Sequence, residues 1–370
     1  MLGKRRRLAL LAEGSFTPLE AKTAVGVLRY RADEVVAVVD SIRAGRTCED
    51  CVGLGGAIPV VADVAAAAAL GADGLLIGIA PQGGELPSPW RAAVSEALAR
   101  GWDVLSGLHR FLAADPELAA LARAHGGMVL DVRRTPERRP IAANRAAHLE
   151  ALVVLTVGSD CNVGKMTTAL ELRRELVARG VRAAFVATGQ TGIFVADQGV
   201  AVDAVPADFV AGFTEEMVLE AARAADVVVV EGQGALRHPA YSGVTLALLH
   251  GASPAAMVLC HHAGREALRR TAPGEATVPP LPVLVREYEQ AAAWVSPARV
   301  VAVALNTLGL EPSAARQAVA EASRDTGLPA ADPVRFGAGA IAEAVIAARA
   351  ARRPAATVGR AGGGHHATAS

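Results

Sequence analysis

The chain predicts an α/β protein of two parallel-sheet halves, each a three-layer stack with helices on both faces of its strands. Three observations carry that prediction. Short apolar, β-rich runs alternate with helical stretches along nearly all of the 370 residues, and strict strand–helix alternation builds parallel sheets. Hydrophobic residues make up 52% of the chain and charged residues 20%, enough to bury two such cores and unlike a disordered composition. Near the middle, an apolar strand enters a glycine-bounded loop and then a helix with a lysine at its mouth. The length fits two domains.

In the first half, residues 7–12 and 34–40 read as strands. A helix over 18–30 separates them, with Thr17 as its N-cap. Strands follow at 58–61 and 74–79, then a helix over 89–100 stopped by Gly101. Next come a strand at 103–106, a helix over 116–125 capped by Gly126, and a strand at 128–132. This is a Rossmann-like half over residues 1–140, closing in a Pro- and Arg-rich connector at 134–143. Its first strand lacks a following G-x-G-x-x-G, because Ala12-Glu13-Gly14-Ser15-Phe16 offers one glycine. A structural or oligomer-forming role is therefore expected of it, and the protein is expected to be a homo-oligomer.

The second half, residues 141–352, opens on Val153–Val157 and the segment Gly158-Ser159-Asp160-Cys161-Asn162-Val163-Gly164-Lys165-Met166-Thr167. Strand, glycine loop, lysine and helix in that order make a phosphate cradle. Loop and helix-terminal N–H groups point inward and the lysine adds a full charge. The loop is one residue longer than the plain G-x-x-x-x-G-K-[ST] pattern, and Met166 stands where the usual Mg²⁺-binding hydroxyl would be. Helices read at 165–179, 215–225, 313–326 and 340–352, and strands at 183–187, 227–230, 256–260 and 300–305. The Gly-, Ala- and Pro-rich tail 353–370 is expected to be disordered.

Composition excludes several classes of partner. Lys+Arg and Asp+Glu both number 37, so no polyanion such as nucleic acid is expected. The basic run Lys4-Arg5-Arg6-Arg7 reads as a solvated N-terminal edge. Asp63 and Asp73 interrupt the most apolar stretch, and residues 8–12 are too short for a signal h-region. A cytoplasmic location without membrane association is expected. Cys48 and Cys51 form a C-x-x-C with no second pair, read as a loop coincidence rather than a zinc or redox site. No bound metal is expected.

In a doubly wound sheet, ligands bind beyond the carboxyl ends of the strands. That rule places the phosphate loop, Thr188–Thr191, Glu231–Gln233, His261 and Asn306 on one crevice. Glu231, after four valines, is a candidate general base or metal ligand. His238, in a long loop, and Asp208, in a loop before the 215–225 helix, are the other acid–base candidates. Thr167 and Thr168 are candidate phosphate contacts, and Cys161 is read as a small filler ahead of a reactive thiol. His261 and His262 are expected in hydrogen-bonding roles.

Five motifs in series then resemble one family. They are the 158–168 loop, Ala187-Thr-Gly-Gln-Thr-Gly192, Val205-Pro-Ala-Asp-Phe-Val-Ala-Gly212, Glu231-Gly-Gln-Gly234 and His238-Pro-Ala-Tyr-Ser-Gly243. The family is a P-loop family catalogued as a domain of unknown function that includes D-glutamate N-acetyltransferases, and the resemblance spans about residues 5–350. It implies acetyl-CoA as donor, a D-amino acid (D-glutamate best) as acceptor, and a role in D-amino acid catabolism. It also implies a functional partner of the enolase superfamily acting on the N-acetylated product. On this reading Glu231 or His238 takes the ammonium proton, Arg237 or Arg265 pairs with a substrate carboxylate, and Gln190 and Gln233 touch substrate. The loop also resembles that of dethiobiotin synthetase and related ligases, departing from it at Met166. An ATP- and Mg²⁺-dependent ligase or kinase therefore stays open as the alternative, as does a nucleotide- or CoA-sensing module without turnover.

Overall fold

The computed structural model describes residues 4–18, 20–79, 86–269 and 276–352. The expectation for the 353–370 tail falls outside these residues. Twelve strands are seen among them. The first six are β1 (Leu8–Leu11), β2 (Val35–Val39), β3 (Val60–Val61), β4 (Gly74–Ile77), β5 (Asp103–Ser106) and β6 (Val129–Asp131). They form one sheet in the order β3-β2-β1-β4-β5-β6, all parallel. This is the Rossmann order, with its switch point between β1 and β4. The other six are β7 (Leu152–Gly158), β8 (Ala183–Val186), β9 (Val227–Val230), β10 (Ala256–His262), β11 (Arg299–Asn306) and β12 (Ala330–Ala331). They form a second parallel sheet in the order β12-β11-β10-β7-β9-β8. Strand β7 is buried along its whole length, as a central strand covered on both faces must be.

The helices are α1 (Lys22–Tyr30), α2 (Cys48–Val52), α3 (Val64–Ala69), α4 (Ser88–Ala99) and α5 (Pro116–His125) in the first half. The second half has α6 (Lys165–Ala178), α7 (Gln190–Ala196), α8 (Ala207–Ala222), α9 (Ser242–Ala252), α10 (Leu281–Ala293), α11 (Pro312–Thr326) and α12 (Gly339–Ala351). None of the described helices is long and apolar enough to cross a membrane.

Four expectations are corrected. Helix α1 starts at Lys22, not at residue 18, and its N-cap is Ala21; the Thr17 hydroxyl caps a separate local turn by accepting from the Glu20 N–H. The C-x-x-C lies on helix α2, entered through a Thr47–Asp50 capping box, and Cys48 is packed in the core. Asp208 is in the first turn of α8, which begins eight residues before 215. Of the basic run, Arg6 is buried, and its Nε donates to Asp103 Oδ2 at 2.9 Å, pinning the start of β1 to β5.

Helix α1 joins the halves. Thr23, in its first turn, bonds Thr191 in the first turn of α7 at 2.9 Å. Arg31, just past its end, donates to Asp197 Oδ1, just past the end of α7, at 2.5 Å. The two helices therefore run parallel. Each leaves the carboxyl edge of its own sheet, so both carboxyl edges lie on the same side of the molecule. One apolar cluster includes Leu10 of β1 and Val154 of β7, so the two sheets share a core across α1, α6 and α7.

Candidate active site

The five strand-end segments assemble in the spatial order β11-β10-β7-β9-β8. At their centre, Lys165 is the first residue of α6, with Gly164 at φ 104° turning the chain into the helix. Its buried Nζ donates to the Asp160 carbonyl at 2.8 Å. A Cβ built on Gly158 would lie 2.9 Å from both that Nζ and Val163 Cγ2, so a side chain here would crowd the loop around the amine. Burial pushes the Lys165 pKa down, opposed by Asp160 and Glu231. The first N–H groups of α6 have no intrahelical acceptor. A buried cation beside free helix-terminal donors is a site for phosphate oxygens.

The loop is braced from three sides. Asp160 is fully buried, and its Oδ2 accepts from Arg265 at 3.2 Å and from the Arg269 N–H at 2.9 Å. Arg265 also donates to the Cys161 carbonyl at 2.8 Å. Ser159 Oγ meets His261 Nδ1 at 2.9 Å. Burial, with His262 and Arg265 nearby, lowers the His261 pKa to about 4, so this ring stays neutral. Tyr288 on α10 closes the third side through the backbone of Gly158.

Glu231 directly follows β9, the strand beside β7. It is buried, and burial raises its pKa to about 7. Its Oε2 accepts from the Thr188 and Gly189 N–H groups at 3.0 and 3.2 Å, and Oε1 accepts from Gln233 at 3.2 Å. These bonds hold the segment that leads into Gln190 against the β9 end.

His238 is buried and stacked on Tyr241, with ring centroids 4.4 Å apart. The Ala240 N–H donates to Nδ1, so Nε2 carries the proton and donates to the Arg269 carbonyl at 2.8 Å. Both nitrogens are thereby engaged. Asp160, Cys161 and His238 bring ligand-type atoms within 4.8 Å of one another. The lone pairs of Asp160 and of His238 Nδ1 serve N–H donors, however, and Arg265 already neutralises Asp160, a poor donor set for a cation. Burial and Asp160 raise the Cys161 pKa, in keeping with a filler rather than a reactive thiol.

The remaining expected contacts fall differently. Arg237 is paired with Glu287, its Nε 2.9 Å from Oε2, and Arg265 with the loop itself, so neither is poised for a substrate carboxylate. Asp208 is exposed on α8, and no bond ties it to Glu231 among the described residues. Gln190 accepts from Arg133 of the first half, whose Nε donates to the Gly107 carbonyl at 2.6 Å and which also pairs with Asp203. Met166 turns its methyl group toward α1, 3.6 Å from where a Cβ on Gly26 would stand. The position that offers a hydroxyl to Mg²⁺ in the usual NTPase here packs against the other half. Tyr288 and Arg133 went unread in the sequence. Only the placement of Arg133 just past a strand end was a usable signal.

In the first half, Asp40 past the end of β2 is fully buried and accepts from the Phe16 and Ile42 N–H groups and from Arg43. The acid that meets a ribose in dinucleotide-binding folds is here spent on its own loops.

Comparison with known proteins follows this layout. Residues 140–342 match the family described as "Domain of unknown function (DUF1611_C) P-loop domain", and residues 41–135 match its "Rossmann-like domain" (DUF1611_N). A protein of Tritonibacter scottomollicae named D-glutamate N-acetyltransferase is 38% identical over 331 residues, 89% of this chain and 95% of the relative. A Pseudoalteromonas protein of the same name is 35% identical over 276 residues, 74% of this chain and 82% of the relative. The crystal structure of a DUF1611 family protein from Anabaena variabilis superposes with a TM-score of 0.88 at 39% identity, covering 92% of this chain and 99% of that one.

Proposed function

The chain belongs to the DUF1611 family, and from that premise we propose that it transfers an acetyl group from acetyl-CoA to the amine of D-glutamate. One observation carries the reading beyond the names of its relatives. The loop offers a buried Lys165 to phosphate oxygens, yet its Mg²⁺ position holds Met166, turned into the α1 contact. Such a cradle suits a ligand whose phosphates are gripped and not transferred, as in CoA. The residues fit that ligand. Lys165 and the α6 terminus take a phosphate, while Arg265, His261 and Tyr288 keep the loop in shape.

In the transfer, the neutral amine attacks the thioester carbonyl. A C–N bond forms, the C–S bond breaks, the thiol leaves as CoA, and one proton is released overall. The pantetheine arm is about as long as four extended residues, on the order of 13 Å. With the phosphates on Lys165, the reacting carbonyl lies well along the crevice. Glu231 and His238, both close to the loop, are accordingly positioning residues: Glu231 fixes Thr188 and Gly189, and His238 fixes the 235–241 loop and Arg269.

The test follows thiol release from acetyl-CoA with D- and L-amino acids, with and without EDTA. Release with D-glutamate that survives chelation is expected. No release with any amino acid at millimolar substrate would sink the reading. A second reading has one observation in its favour: Glu231 directly follows the strand beside β7, where Mg-NTPases place an acid. ATP-dependent product formation that EDTA abolishes and Mg²⁺ restores would select it.

A further inference from the structure

Acyl transfer is speeded by a fixed hydrogen-bond donor where charge develops, on the carbonyl oxygen. A side-chain amide supplies one if its amino group is free. Among the described residues, three amides outside the phosphate loop stand at or just past strand ends of the second sheet: Asn306, Gln233 and Gln190. Asn306 is too near the phosphates, its Cβ 4.0 Å from where a Cβ on Gly164 would stand. Gln233 commits its amino group to Thr188 Oγ1 at 3.1 Å and to Glu231 Oε1 at 3.2 Å. Gln190 remains.

Its polarity is fixed from the first half. Buried Arg133 has donors only, so the oxygen of the Gln190 amide must face it and Nε2 must face away. Arg133 is itself held by the Gly107 carbonyl at 2.6 Å and by Asp203. A Cβ on Gly107 would stand 2.9 Å from both Cβ and Cγ of Gln190, so the stem is backed closely too. Glu231 fixes the preceding residue through the Gly189 N–H at 3.2 Å. Nε2 makes no bond among the described residues, where no buried side-chain nitrogen lacks a partner, so it is open to solvent. Its place suits the donor's reach. Strand β8 is second from β7 in the order β7-β9-β8, which sets the Gln190 segment roughly 10 Å across the sheet from the phosphate loop. A pantetheine arm on the order of 13 Å spans that distance.

From these contacts we infer that Gln190 is a catalytic residue whose Nε2 donates to the thioester oxygen, and that Arg133 is the positioning residue that keeps the amide turned that way. As the amine adds, the C–N bond forms and the carbonyl π pair moves onto the oxygen, where Nε2 meets it. As the oxyanion collapses, the C=O bond re-forms and the C–S bond breaks. The added nitrogen loses one proton and the sulfur gains one. The inference rests on the acetyl-transfer reading. It makes the active site a joint product of both halves, since a side chain of the Rossmann-like half orients the amide.

The experiment uses the full-length protein and Gln190→Glu. A carboxylate keeps the volume of the amide and its bond to Arg133, but sets an acceptor oxygen where Nε2 was. Expected, at unaltered Tm, is a kcat with D-glutamate lower by about a hundredfold or more, with little change in either KM. Arg133→Lys, which keeps the charge and loses the fork, should lower kcat in the wild-type background and cost nothing further in the Gln190→Glu background. Infrared difference spectra of bound acetyl-CoA, isotope-labelled at the carbonyl, give a readout independent of turnover. The wild type should shift the thioester carbonyl stretch to lower frequency, and Gln190→Glu should not. An unchanged kcat in folded Gln190→Glu overturns the inference. So does a change confined to the KM for D-glutamate, which puts the amide on an acceptor carboxylate instead. A wild type that binds acetyl-CoA without transferring it defeats the acetyl-transfer reading alone, and the infrared shift then decides. A wild type that binds no acetyl-CoA removes both.

Discussion

The Tyr288 hydroxyl donates a 2.7 Å hydrogen bond to the Gly158 carbonyl and accepts the Gly158 and Leu236 N–H groups at 3.3 Å each. One buried oxygen thus ties α10 to the first glycine of the phosphate loop and to the segment that carries His238. Tyr288→Phe leaves three buried backbone groups short of a partner, at a cost of roughly 1–3 kcal/mol. Chemical denaturation should show that loss. Initial rates should show a raised KM for acetyl-CoA with little change for the acceptor. Equal effects on both substrates would mean that the tyrosine supports the fold at large and not the loop.

Lys165→Met keeps the volume of the stem and removes the charge. Burial already penalises the ammonium, so stability should hold or rise. Donor kcat/KM should fall by about 2 kcal/mol, close to thirtyfold, for one lost charge-assisted phosphate contact. Unchanged kinetics in the folded variant would remove the loop as the donor site.

Two buried groups give pH dependences of opposite sign. Glu231 has its pKa raised to about 7 from 4.5, so the folded state holds a proton that the unfolded chain has lost. Its stabilising contribution is complete below 4.5 and lost as pH rises toward 7. His261 has its pKa lowered from 6.5 to about 4, so its contribution is present above 6.5 and lost as pH falls toward 4. Between 4.5 and 6.5 the two slopes oppose each other. Glu231→Gln should leave a Tm that climbs with pH across that window, and His261→Gln a Tm that declines. Parallel Tm profiles for both variants and the wild type would refute the assignment.

Reading the sequence recovered the two sheets and the phosphate loop because strand runs such as Val227–Val230 and the glycine–lysine spacing are local signals. Helices α9 and α10 escaped. The first is apolar nearly all round, because it is covered by α8 and α10 as well as by the sheet, so it shows no one-sided pattern. The second carries Pro282 in its first turn, where proline is at home although it interrupts a helical pattern elsewhere. The rim residues Glu231, Gln233 and Lys165 were legible from position alone. The bonds that brace the site were not, because the pairing of Arg133 with Gln190, or of Arg265 with Asp160, spans 57 and 105 residues. Spacing in the chain says nothing about such contacts.

Gly192, in the first turn of α7, tests how firmly Glu231 is held. A Cβ there would stand 2.3 Å from Glu231 Oε2, the oxygen fixed by the Thr188 and Gly189 N–H groups. The carboxylate cannot retreat without giving up one of those bonds. Replacing a helical glycine by alanine ordinarily gains up to about 1 kcal/mol. Here overpacking of roughly 1–3 kcal/mol should exceed the gain, so Gly192→Ala destabilises. In a Glu231→Ala background the obstructing oxygen is gone, and the same change should become neutral or stabilising. A double-mutant cycle measured by denaturation reads this sign reversal directly, since the cost of Glu231→Ala itself cancels. A penalty of the same size in both backgrounds would show that Gly192 is needed for some other reason and that the carboxylate is free to move.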